Sequence, residues 1–137
     1  MDLMTSIQIS ASGMEAQGRR LRVIAENIAN NQSLADRPGL DPYRRQTVTF
    51  RSVLDDQTGA NRVEVDRVLP DRTPFELKFD PQNPAADENG YVKLPNVNIL
   101  VEMMDMREAQ RSYDANMNVV EAAKGMLRRT IDMLRSG

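Results

Sequence analysis

Along residues 2–30, Met4, Ile7, Ala11, Met14, Gly18, Leu21, Ala25 and Ile28 recur at alternating spacings of four and three. Every one of these positions is apolar or small over about four heptads, which is the narrow seam of a coiled coil rather than the broad stripe of a globular helix. Asp2 is the expected N-cap and Asn30-Asn31 the expected stop. Gly18 lowers helix propensity by about 1 kcal/mol, so close approach of a neighbouring helix is the reason expected for it. At 1.5 Å per residue the helix would be roughly 40 Å long.

The same pattern returns over residues 97–135. Ile99, Met103, Met106, Gln110, Tyr113, Met117, Val120, Lys124, Leu127, Ile131 and Leu134 again alternate by four and three. A second stripe runs beside the first, through Ala109, Asn116, Val119, Ala123, Met126 and Met133. One partner helix cannot cover two stripes, so a bundle or neighbouring subunits are expected. Asn96 or Asn98 is placed to cap the start, and Arg128, Arg129 and Arg135 suit the negative C-terminal end.

All seven prolines fall between these helices, while all nine methionines lie near the start or in the last third. Proline breaks helix interiors and Met favours them. Residues 31–96 therefore read as an insertion of loop and short strands. Tyr43–Phe50, Arg62–Leu69 and Phe75–Phe79 alternate as strands do, with Phe75, Leu77 and Phe79 on one face. The stretch DPQNPAADENG reads as a turn-rich loop. The fold class is mainly α: long terminal helices over 1–30 and 97–137 form one core, with a small irregular and β insertion over 31–96.

Composition removes most chemistry. The 137 residues contain no Cys, His or Trp, so there is no thiol nucleophile, no disulfide, no Ser-His-Asp triad and no ordinary zinc site. A net charge of −2 and few aromatics argue against a nucleic-acid binder. No apolar run reaches membrane-spanning length, and the N-terminal segment lacks the basic start of a cleaved signal peptide. Asp55, Asp56, Asp80, Asp87 and Glu88 are loop carboxylates without metal-ligand spacing. Arg44-Arg45 with Arg51, and Arg19-Arg20 with Arg22, read as exposed faces or subunit salt bridges. No enzyme and no cofactor are expected.

What remains is a helical assembly protein. Helices whose stripes pair with each other and with copies of neighbours build a tube when the repeated contact does not close. The interface residues expected are Ile7, Met14, Leu21, Ile28, Met106, Tyr113, Val120, Leu127 and Leu134. Asn27, Asn30, Gln110, Asn116 and Lys124 are the polar positions expected to fix register, because burying an unpaired polar group costs roughly 1–3 kcal/mol. The alternatives are a monomeric helical hairpin and a cytosolic helical adaptor or export chaperone.

Particular motifs carry a resemblance. Ser10-Ala11-Ser12-Gly13-Met14 followed by Ala25-Glu26-Asn27-Ile28-Ala29-Asn30 resembles the N-terminal signature of flagellar rod, hook and hook-associated proteins. Pro42-Tyr43-Arg44-Arg45-Gln46 is similar to the segment that follows that helix. Residues 80–98, with Glu102–Met106 and Ala109–Asn116, resemble a proximal-rod subunit in particular. Where many axial proteins carry Thr-Pro-Gly-Tyr, this chain has Ser33 and a longer run from Pro38 to Tyr43. The resemblance implies export without a cleaved signal peptide through the flagellar export gate. It implies polymerisation in the periplasm into a hollow, torque-transmitting shaft of the basal body, with the terminal helices paired antiparallel. Implied partners are the rod proteins FlgB, FlgF and FlgG, the junction protein FliE, the export gate and further copies of the chain itself, with no nucleic acid and no membrane insertion.

Overall fold

A computed structural model describes residues 2–137. The elements run α1 (Leu3–Ala29), β1 (Gln46–Leu54), β2 (Asn61–Pro70), β3 (Glu76–Phe79), β4 (Tyr91–Leu94) and α2 (Ile99–Ser136). The protein is mainly helical, with two small antiparallel sheets.

Both helices start where side-chain chemistry dictates. The Thr5 amide donates to Asp2 Oδ1 at 2.7 Å, as the expected N-cap requires. Asn98, rather than Asn96, caps α2, accepting from the Leu100 amide at 3.0 Å. Asn96 is used elsewhere, in the polar cluster described below. α1 stops at Ala29, just before the Asn30-Asn31 pair.

The insertion holds two hairpins. β1 and β2 pair, and Asp55 caps the turn between them by accepting from the Gln57 amide at 2.9 Å. Gly59 takes a φ of 68° there, a conformation that side chains disfavour. β3 and β4 pair antiparallel, with Glu76 opposite Leu94 and Phe79 opposite Tyr91. β4 follows the expected turn-rich loop, at residues for which no strand is expected. The Phe79 and Tyr91 rings meet edge to face at 5.4 Å, and Val92 is buried. The long connection folds on itself: Asp87 Oδ1 accepts the Asn89 and Tyr91 amides, each at 2.9 Å. Gly90 has a φ of 83°, and a Cβ there would lie 2.9 Å from the Phe79 ring.

The chain divides into two compact units. The first comprises residues up to Leu21, Thr49–Arg67 and Arg107–Gly137; the second comprises Arg22–Val48 and Val68–Met106. In the first, helix meets helix through small residues. Ser10, Ala16, Ala109 and Ala123 are buried, and a Cβ on Gly13 would stand 2.8 Å from the Asn116 amide nitrogen. Arg20 pairs with Glu108 at 3.4 Å. The β hairpin joins α1 through the Val63 amide, which donates to Ser12 Oγ at 3.4 Å.

Two expectations change here. Nothing lies within 4 Å of a Cβ built on Gly18, so Gly18 serves no close packing inside the chain, and Gly13 does. The buried stripe of α2 is the second one, through Ala109 and Ala123, not the one rich in Met and Leu. Small side chains let two backbones approach closely, so they occupy the inside and leave the larger ones at the flanks.

Candidate assembly interface

The interior of the second unit holds Val23, Ile24 and Val92 and, with them, a polar cluster. Arg45 leaves β1's lead-in segment and faces three carboxylates. It forms a short hydrogen-bonded pair with Glu102, and it pairs with Asp71 at 3.1 Å and Asp105 at 3.2 Å. Glu102 is fully buried, so its charge persists there only because it is matched. Asn27, also buried, uses both ends of its amide. Its Nδ2 donates to the Gln46 carbonyl at 2.8 Å and to Glu102 Oε2 at 3.3 Å. Its Oδ1 accepts from Tyr43 Oη at 2.8 Å and the Gln46 amide at 2.9 Å. Asn96 Oδ1 accepts from the Arg45 amide at 2.7 Å, while its Nδ2 donates to the Asp71 and Thr73 carbonyls, both at 3.0 Å. The Arg44 guanidinium lies 4.1 Å over the Phe75 ring. α1, α2 and the insertion strands of this unit are thus tied by one matched cluster.

The cluster biases its own titrations. Hydrogen bonds from Thr73 hold the Asp71 carboxyl below its usual range, with Arg45 adding to the effect. Burial pushes the Tyr43 phenol up, reinforced by the Glu26 and Glu102 carboxylates. Burial works against the Arg45 charge, but the hydrogen bonds to Glu102 and Asp71 outweigh it and raise its pKa. These are the marks of a structural lock.

The Arg44-Arg45 pair was expected to be an exposed face or a subunit salt bridge; Arg45 instead neutralises buried acid within the chain. The signal for this is periodicity. Glu102 lies one heptad before Ala109, on the same stripe as Asn116 and Ala123. A carboxylate on a stripe of small residues calls for a cation inside the fold.

Ile7, Met14, Leu21, Ile28, Met106, Tyr113, Val120 and Leu127 are all half-buried, and Leu134 is exposed. Around them the first unit leaves Met4, Met117, Val119, Met126, Ile131 and Met133 exposed, and the second leaves Leu100, Val101, Met103 and Met104 exposed. The register residues divide. Asn27 is locked in the cluster; Asn30 donates to the Glu26 carbonyl at 2.9 Å and accepts from Ser33 at 2.9 Å. Asn116 abuts Gly13 and donates to the Ser112 carbonyl at 3.0 Å. Gln110 and Lys124 face solvent. Among the described residues, no group of acidic side chains is arranged to hold a metal ion, and no helix is long and apolar enough to cross a membrane.

Several known proteins similar to this chain are flagellar basal-body rod proteins. The sequence model described as the C-terminal part of flagellar basal body rod FlgEFG proteins matches residues 88–133. The chain is 53% identical to the flagellar basal-body rod protein FlgC of Agrobacterium fabrum, across 98% of this chain and 96% of that one. It is 38% identical to the FlgC rod protein of Salmonella typhimurium, across 97% of this chain and 98% of that one. It is 37% identical to that of Borreliella burgdorferi, across 98% and 99%.

Proposed function

The chain belongs to the FlgC family of flagellar basal-body rod proteins and is a structural rod subunit, not an enzyme, and from that premise we propose how it is built into the rod. It sits in the proximal part of a hollow, periplasmic drive shaft that transmits torque. It reaches that place through the flagellar export gate. Rod subunits associate with other rod components and with copies; the specific neighbours proposed are FlgB, FlgF, FlgG and FliE.

The helices pair antiparallel in a coiled-coil-like manner, with segments 1–30 and 97–137 as the core and 31–96 as an insertion outside it. Support comes from the first unit, where Gly13 faces Asn116 and Arg20 pairs with Glu108, so one helix ascends as the other descends. The interface with neighbours is made by Ile7, Met14, Leu21, Ile28, Met106, Tyr113, Val120, Leu127 and Leu134. Asn27, Asn30 and Asn116 set register inside the chain, while Gln110 and Lys124 set it against neighbours.

One observation carries this reading: α2 buries only small and polar residues, Glu102, Ala109 and Ala123, and keeps its large apolar residues half-buried or exposed. Burying apolar surface yields about 25 cal/mol per Å², so a chain arranged this way gains most when neighbours cover it. In a motile cell, Leu127→Asp is expected to block incorporation into the rod while export continues. Normal incorporation of that variant would overturn the interface assignment.

A further inference from the structure

The two helices of the first unit end unevenly. Carried from the Gly13–Asn116 contact to the first residue of α1, Leu3, the register reaches about Met126 of α2. α2 continues to Ser136. Its last turns, roughly 15 Å of helix, therefore run past the capped start of α1. Ile131 and Leu134 continue the stripe of Tyr113, Val120 and Leu127, which are half-buried within the chain, yet Ile131 is 47% exposed and Leu134 is 79% exposed. The same turns carry Arg128, Arg129 and Arg135 against a lone Asp132.

We propose that this overhang is the seat of an acidic amphipathic helix from a different protein, which takes up the track of α1 where α1 stops. The apolar stripe is continuous with the chain's own helix contact, so the occupant is a helix with apolar residues at spacings of three and four. The arginines fix its charge. A second copy of this chain is a poor occupant: its α1 carries Arg19, Arg20 and Arg22 against Glu15 and Glu26, and its α2 ends in the same arginines. The inference rests on the rod-subunit reading for its biological setting, but its test does not.

The test uses the full chain and two synthetic helical peptides that share one Leu seam, one flanked by Glu and its twin by Lys. Binding is followed by fluorescence anisotropy. The Glu peptide is expected to bind about tenfold or more tighter than its twin, and to weaken as salt is raised. Ile131→Asp and the paired change Arg128→Glu, Arg129→Glu are each expected to abolish this preference while helix content by circular dichroism is unchanged. These residues are exposed, so the fold does not depend on them. Equal affinity for both peptides, binding to neither, or preference retained in the variants would overturn the proposal. So would self-association of the chain by sedimentation that Leu134→Asp removes, since the overhang would then hold a copy. None of these outcomes touches the Leu127→Asp incorporation test, so the two readings fail separately.

Discussion

At the scale of single residues, the stability of the second unit turns on the match between Arg45 and its carboxylates. Arg45→Met removes the cation from a fully buried Glu102 and is expected to cost about 3–5 kcal/mol in urea unfolding. The double change Arg45→Met, Glu102→Met is expected to recover most of that loss, because the unmatched charge has gone. The pH profile follows from the same cluster. Asp71 has a folded pKa below its unfolded value, so the unfolded chain binds more protons in that window. Its contribution is present above about pH 4 and lost as pH falls through the folded value. Tyr43 has a folded pKa raised above about 10, so its contribution holds below that pH and is lost as pH rises through the folded value. Midpoints of urea unfolding against pH are expected to fall at both ends and to be flat between. Tyr43→Phe removes the alkaline decline of this group.

At the scale of elements, the two glycines of α1 separate contacts inside the chain from contacts outside it. Gly18 has open space around it, so Gly18→Ala is expected to stabilise the isolated chain by roughly 0.5–1 kcal/mol. Gly13→Ala gains the same propensity but must displace the Asn116 side chain, so its thermal midpoint is expected to rise less or to fall. If Gly18 lies on a surface that a neighbour covers, Gly18→Leu leaves the monomer folded and removes it from the rod. Helix extents were legible in the sequence because their signals are local: Asp2, Asn98 and the Asn30-Asn31 stop all act within one turn. The inward face was not, because periodicity finds every apolar stripe and cannot say which one a partner outside the chain will cover. β4 was hidden for a different reason. Four residues of strand after a turn-rich loop carry little pattern, and the pairing of Phe79 with Tyr91 is tertiary. Arg45 was legible only in combination with Glu102, residues far apart in the chain.

At the scale of the whole molecule, a rod subunit needs to fold well enough to keep its register and yet leave its adhesive surface unfilled. The cluster around Arg45 and Asn27 meets the first need in the second unit, and the Gly13–Asn116 contact meets it in the first. The second need is met by the exposed Met, Leu and Ile side chains of α2. The chain has no Cys and no His and so lacks the side chains that most catalysis uses, in keeping with its membership of a structural rod family. In the proposed rod, the large apolar residues of α2, half-buried or exposed in the single chain, are covered by neighbours. A density map of the assembled basal body at side-chain resolution tests it most directly. The prediction is that Met117, Ile131 and Leu134 are buried against neighbouring subunits while Arg45 still pairs with Glu102 inside the chain. Finding those three side chains in solvent, with subunits joined through the β hairpins instead, would contradict it.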